Sequence, residues 1–363
     1  MNLFAPLFFE DEKFAQLADW LKSKDDISLL FILVDENTHQ HCLPLLLNRV
    51  EPLQRVEILE VPAGEESKTI EIAAQLWGSL TELKADRNSL IINLGGGVIS
   101  DLGGFVASCY KRGIRFVNIP TTLLAQVDAA HGGKTGIDFE GFKNQIGTFA
   151  KAEATFIYPG FMSSLPYREF ISGFAECVKH ALIYDADLWQ ALLINGLPDP
   201  ELAEHFIEPS VQIKKKIVEE DPKEKGLRKI LNFGHTVGHA LESLSIANDK
   251  EPLLHGEAIA MGMIAEMHMA TQACNLSQAH LHIASKFISE VFPLRPIDQR
   301  FFHQVLGLMQ QDKKNRGSEI LCSLISEPGK CLFDVPVSEL LVFEALEYLN
   351  QTVKKAYPPS EAP

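Results

Sequence analysis

Residues 89–105 read SLIINLGGGVISDLGGF, and this stretch decides the fold. Ser89–Leu94 is short, apolar and rich in isoleucine, the pattern of a strand buried on both faces. It runs directly into Gly95-Gly96-Gly97 and then into helical spacing. Glycines between strand and helix let the backbone approach a phosphate. The helix start adds unpaired N–H groups and the positive end of its dipole. The run is not GxGxxG, so alone it also suits a tight strand–helix turn. Working outward, Leu29–Val34, Val56–Val61 and Ile114–Ile119 are further strand patterns, stopped by Asp35-Glu36-Asn37, Pro62-Ala63-Gly64 and Pro120. Ile70, Ala73, Leu76, Trp77, Leu80 and Leu83 keep helical spacing between two of them. Strands alternating with helices predict a parallel sheet covered on both faces, an α/β domain over residues 1–160.

Beyond Pro159 the pattern becomes helical, which predicts a second, all-helical domain over residues 161–363. Only Ile320–Ser326 suggests a strand there. Ile230, Phe233, Gly234, Val237, Leu241 and Leu244 mark one face of a helix, and a long apolar helix follows His255. Met261, Met263, Met267 and Met269 on that helix read as core rather than as a cofactor contact. The tail from Tyr357 is expected to be disordered.

Composition narrows the function classes. Charges number 33 Lys+Arg against 48 Asp+Glu, a net −15, so the chain repels polyphosphate backbones and bulk nucleic-acid binding is not expected. An anionic small molecule would need a local cationic pocket. No stretch has the ~20 apolar residues that cross a bilayer. The start, MNLFAPLFFEDEK, lacks a basic region and does not read as a signal peptide. The scattered cysteines contain no CxxC pair and read as reduced thiols, so the expected compartment is the cytoplasm.

Four short patterns carry candidate chemistry. Thr121, Thr122 and Leu124 precede Asp128, then His131-Gly132-Gly133-Lys134, then Lys143-Asn144; lysines and an amide among glycines make an anion cradle. Glu176 and Lys179 share a helix face at i,i+3 among apolar neighbours, which predicts a buried charged pair. His235 and His239 are spaced i,i+4, and His255 follows, a geometry that suits zinc as readily as packing. Arg112, Lys214, Arg228, Lys313 and Lys314 supply basic density that matters only if it converges.

Taken together and in order, GGGVISDLGGF, RGIRFVNIPTTLLAQVDAAHGGKTGID, FKNQIGTF, AECVKHALI, GLRKILNFGHTVGHALE, LLHGEAIAMGM and DKKN resemble the 3-dehydroquinate synthase family of sugar phosphate cyclases, over about residues 28–316. The resemblance implies a Rossmann-like NAD-binding domain and a helical metal- and substrate-binding domain, with the active site in the cleft. It implies a carbon–oxygen lyase acting on phosphates. The family converts 3-deoxy-D-arabino-heptulosonate 7-phosphate to 3-dehydroquinate and phosphate in the shikimate pathway, toward chorismate and aromatic amino acids. The route is transient oxidation by bound NAD, phosphate elimination, re-reduction and intramolecular aldol closure.

Carried over residue by residue, the resemblance implies metal ligands at Glu176, His235 and His255, for zinc or alternatively cobalt. His239 then belongs to the substrate pocket and not to the metal. Implied NAD contacts are Asp35, Asn37, Glu65, Lys68, Gly96, Gly97, Val98, Asp101, Thr121, Thr122, Leu124, Lys134, Lys143 and Ser164. Implied catalytic and substrate residues are Arg112, Asp128, Lys134, Asn144, Lys179, Lys214, Arg228, Asn232, His239 and Lys314 (or Lys313). The partner implied for the Arg112 position is a second copy of the chain, a homodimer. Neither a nucleic acid nor a membrane partner is expected. The chain departs from the family pattern at Ser100 (usually glycine), at Ala129-Ala130 (usually serines) and at His131 (usually small and apolar). Another sugar phosphate cyclase, a metal-dependent polyol dehydrogenase of the same fold, and an inactive binding protein are the competing readings.

Overall fold

The computed structural model describes residues 4–140, 142–310 and 319–356. Among the described residues the strands are β1 (Leu7–Phe9), β2 (Leu30–Asp35), β3 (Glu57–Val61), β4 (Leu90–Gly95), β5 (Arg115–Pro120), β6 (Lys134–Phe139), β7 (Phe142–Phe149), β8 (Thr155–Ile157), β9 (Ile320–Glu327) and β10 (Lys330–Val337). By contacts the chain divides into two compact units. The first holds Met1–Pro166 and Ala203–Pro222; the second holds Tyr167–Leu202 and Lys223–Pro363.

The first unit is built on a sheet of order β1-β8-β5-β4-β2-β3. Every pairing in it is parallel. The apolar runs form its middle because a strand covered on both faces must be apolar throughout; β4 is buried at every position. Helix Gly97–Cys109 presses on it so closely that a Cβ on Gly103 would lie 1.9 Å from Asn93 Oδ1. Asn93 Nδ2 in turn donates to Asn118 Oδ1 on β5 at 2.9 Å. The chain passes from β2 outward to β3, then returns to the other side of β2 as β4. This reversal places the switch point, where open α/β sheets bind ligands, at the carboxyl ends Asp35 and Gly95.

Several elements of this unit escape the sequence pattern. Strands β1 and β8 are three residues each, and β6–β7 is an antiparallel hairpin outside the main sheet. Helix Glu204–Glu220, which carries Lys214, also belongs to this unit although it follows the start of the helical region.

The second unit is helical, with β9 and β10 as an antiparallel ribbon. The late strand candidate is therefore real and has a partner. At the centre lies helix His255–Ala273, packed against helices Tyr167–Tyr184, His235–Asn248, Gln278–Val291 and Glu339–Ala356. A helix apolar on all sides is an interior helix, and its four methionines are all buried. The helical face expected from Ile230 to Leu244 is broken. Leu227–Asn232 is a 3-10 turn, and the α-helix starts at His235, because Gly234 takes a left-handed φ of 78°. Among the described residues, no helix is long and apolar enough to cross a membrane. The tail expected to be disordered lies outside the described residues.

Candidate functional site

In the first unit the glycine turn leaves β4 and opens helix Gly97–Cys109. A Cβ on Gly96 would meet Thr122 Cγ2 at 3.0 Å, and one on Gly97 would meet Ala129 Cβ at 3.2 Å, so the turn tolerates no side chain without a shift. Thr121 N donates to Gly95 O at 3.0 Å and ties the neighbouring strand end to it. Asp101, one turn into the helix, pairs with the buried Lys68 at 2.8 Å, and Glu65 stands 3.5 Å from the same ammonium. Burial pulls the Lys68 pKa down, but Asp101 and Glu65 outweigh it and leave it above the ordinary lysine value.

The hairpin is fastened to this group. Asp138 N donates to Lys68 O at 2.7 Å, and Asn144 N donates to Asp138 Oδ1 at 2.7 Å, with Asn144 at a left-handed φ of 52°. Lys134, Lys143 and Asn144 are exposed along it. At the switch point Asp35 accepts from Thr38 N at 2.8 Å and caps the short helix on which Asn37 is exposed. Val98 and Leu124 are half-buried, and Ser164 is exposed.

Asp128 lies in a π-helical turn, Ala125–Ala129, a local widening common near functional groups. Lys214 grips it twice, at Oδ1 (2.6 Å) and at the backbone oxygen (2.7 Å). His131 closes the same turn: its Nε2 donates to Gln126 O at 2.6 Å, and its ring stacks on Phe4 with centroids 5.2 Å apart. Arg112 does not join these residues within the chain. It follows the far end of helix Gly97–Cys109, about 20 Å along the axis from the glycine turn. There Lys111, Arg112 and Gly113 have φ values of 49°, 68° and 111°, an exposed left-handed run.

In the second unit Glu176, His235, His239 and His255 converge. Glu176, 1% exposed, presents Oε1 to His235 Nε2 at 3.5 Å and to His255 Nε2 at 3.8 Å. Its other oxygen contacts the Lys179 ammonium, also buried. These imidazole–carboxylate separations exceed a hydrogen bond. They approach the ~3.3–3.6 Å between donors that each lie about 2.0–2.2 Å from one tetrahedral zinc. The second ring nitrogens are occupied: His235 Nδ1 by Phe233 O at 3.1 Å and His255 Nδ1 by Glu242 at 3.3 Å. Each Nδ1 therefore carries a proton, and each Nε2 faces Glu176 as the atom a divalent metal would take in exchange for any proton held there, so the donor set fits a divalent metal. Burial lowers the His255 pKa, but Glu176 and Glu242 overcome it and hold the ring up at about 9. His239 is exposed; the three histidines offer ligand atoms within 4.8 Å of one another. Arg228 is buried and Asn232 half-buried on the preceding 3-10 turn, where Asn232 Nδ2 donates to Glu224 at 2.9 Å.

Residues 58–172 match the 3-dehydroquinate synthase N-terminal family, and residues 173–315 match its C-terminal counterpart. The chain belongs to the 3-dehydroquinate synthase family. Among 3-dehydroquinate synthases, that of Parabacteroides distasonis is 39% identical over 340 residues, covering 93% of this chain and 96% of its own length. That of Bacillus mycoides is 39% identical over 332 residues, 90% of each. Among solved structures, 2-epi-5-epi-valiolone synthase from Streptomyces hygroscopicus, with NAD+ and Zn2+ bound, superposes with a TM-score of 0.82. It is 25% identical and covers 96% of this chain and 97% of its own. A 2-deoxy-scyllo-inosose synthase complexed with carbaglucose-6-phosphate, NAD+ and Co2+ shares the fold at a TM-score of 0.82 and 24% identity, over 94% and 95% of the two chains.

Within this 3-dehydroquinate synthase frame, Lys313 and Lys314 lie outside the described residues. Two carboxylates at the site lie outside the sequence expectations. Glu242 backs His255, and Glu266 sits beneath His235. Glu242 shows no spacing signal. Glu266 does have one, a charge in the middle of a mostly apolar helix.

Proposed function

We propose that this chain converts 3-deoxy-D-arabino-heptulosonate 7-phosphate to 3-dehydroquinate and inorganic phosphate, as a carbon–oxygen lyase of the shikimate pathway. The observation that carries the reading is the buried Glu176 carboxylate facing two imidazoles whose other nitrogens are already engaged. Family membership selects the reaction. Glu176, His235 and His255 would hold the divalent metal, zinc or cobalt. The switch-point residues Asp35, Asn37, Gly96, Gly97, Val98, Asp101, Thr121, Thr122 and Leu124 would hold NAD, with Glu65, Lys68, Lys134, Lys143 and Ser164 beside them. When bound, the metal draws charge from vicinal hydroxyls and NAD accepts and then returns a hydride.

The remaining residues bind, orient and move protons. A carboxylate and a dianionic phosphate must be drawn to a chain of net charge −15. Lys134, Lys179, Lys214, Arg228, Arg112 and Lys314 supply the opposing charge, and Asn144 and Asn232 supply neutral donors. The buried Arg228 is well suited to a fixed bidentate contact, and the Asp128–Lys214 pair to a preset orientation. His239, exposed beside the two ligand imidazoles, is suited to exchanging a substrate proton with water. Holding the substrate in a folded conformer favours internal closure.

The proposal extends to a cytoplasmic homodimer. It rests on reduced, scattered cysteines and on Arg112, whose exposed left-handed turn lies far from its own glycine turn. Residues 1–160 serve the nucleotide and 161–363 the metal and substrate, with helix Glu204–Glu220 lending Lys214 to the first unit.

The purified chain, mixed with the heptulosonate phosphate, NAD and zinc, should release phosphate and dehydroquinate in equal amounts without accumulating NADH. Steady NADH formation without phosphate release would instead identify a polyol dehydrogenase. Turnover of a different sugar phosphate in the same assay, with none of this one, would identify another cyclase.

A further inference from the structure

Helix His235–Asn248 brings no capping side chain of its own, since its N-cap is Gly234. The cap comes from the neighbouring helix. Glu266, in the body of His255–Ala273 and 0% exposed, accepts from Gly234 N at 2.6 Å and from Val237 N at 3.0 Å. Those two amides bracket His235. The two backbones are in contact here: a Cβ on Gly262 would lie 2.0 Å from Gly234 O, and one on Gly234 would lie 2.7 Å from Met263 Cγ. A carboxylate buried in an apolar helix is costly unless it is hydrogen-bonded, and a helix N-terminus is where a negative charge is best compensated.

We propose that Glu266 is a positioning residue for the metal centre. Its two oxygens clamp the amides on either side of His235 and fix the backbone from which that imidazole projects. Nδ1 then stays on the Phe233 carbonyl and Nε2 stays directed toward Glu176. This rests on the assignment of Glu176, His235 and His255 as ligands. It goes beyond that assignment by naming what holds one of them.

A glutamine at this position has one acceptor oxygen, so it keeps one amide and sets a donor against the other. Metal affinity of the full chain is measured by competition with a chromophoric chelator. The visible absorption of the cobalt-loaded protein is recorded beside it. Glu266→Gln should bind metal roughly tenfold more weakly and alter the cobalt bands, the size of effect typical of groups that orient a ligand. Leu241→Ala is the control: it truncates a buried side chain of the same helix without touching these bonds, and should lower thermal stability while leaving affinity and bands in place.

Wild-type affinity and spectrum for Glu266→Gln overturn the proposal. An equal loss in Leu241→Ala also overturns it, because the effect is then general loosening. Should Glu266→Gln not accumulate as folded protein, Glu266→Asp, which keeps the charge but withdraws it by one methylene, carries the same readings. His235→Ala separates the layers: if it binds metal like wild type, the ligand assignment itself is rejected, and the clamp with it.

Discussion

Mild acid should loosen this protein through one residue, His131. Its ring is 5% exposed, stacked on Phe4, and bonded through Nε2 to the Gln126 carbonyl. Burial drives its pKa down from 6.5 to about 4, opposed by the Gln126 carbonyl and reinforced by Lys214. Between those two values the unfolded chain binds a proton that the native ring refuses. Stability contributed by the neutral ring is therefore complete above the unfolded pKa and drains away as pH falls toward the folded one. At about pH 5 the loss relative to neutrality is about 2 kcal/mol, approaching ~3.4 kcal/mol below both pKa values. His131→Gln places an amide nitrogen where Nε2 stood and removes the titration. Urea unfolding of both proteins, followed by Trp20 and Trp77 fluorescence between about pH 7 and about pH 5, isolates the effect. The wild type should lose about 2 kcal/mol more than the variant over that interval. Parallel stability curves would show that His131 is not the proton-refusing group and would sink the reasoning.

Lys134→Ala and Arg228→Ala should each lower phosphate release at least about tenfold, the equivalent of one lost contact of ~1.4 kcal/mol. Wild-type rates in both would reject the anion pocket. Chelation should abolish turnover and added zinc restore it, whereas full activity in a verified metal-free sample contradicts the ligand assignment. Gly262→Ala sets a methyl 2.0 Å from Gly234 O and should cost ~1–3 kcal/mol in a thermal melt. An unchanged Tm would deny the close contact of the two helices.

The middle of the sheet was readable because β2, β4 and β5 are buried on both faces. Leu30–Asp35, Leu90–Gly95 and Arg115–Pro120 begin within one residue of the apolar runs that announce them. Strands β1 and β8 were not readable, since three residues hold no periodicity. The hairpin was missed for another reason. Lys143–Gly147 is exposed at consecutive positions, so no apolar stripe alternates along it, and only its lysines and glycines drew notice. Gly234 stood inside an apparent helical face, and the break it makes depends on a left-handed φ that spacing does not encode.

The site was partly legible. Spacing united His235, His239 and His255. Glu176 lies far away in the chain and joined them only through the resemblance, then through the packing of helix Tyr167–Tyr184 against helix His255–Ala273. The partners on the far nitrogens are set by packing alone: Phe233 contributes a backbone oxygen, and Glu242 has the look of an ordinary helix-surface acid.

The glycine-lined crossing of helices His235–Asn248 and His255–Ala273 has a consequence for coordination chemistry. The two imidazoles ride on backbones that cannot approach further and are pinned against separating. Main-chain contact therefore limits how far the spacing of the two rings can change, and the side-chain torsions set the rest. With His235 and His255 as the proposed ligands, an ion that demands a wider span between nitrogen donors would be disfavoured by the scaffold, before the identity of any donor atom is considered.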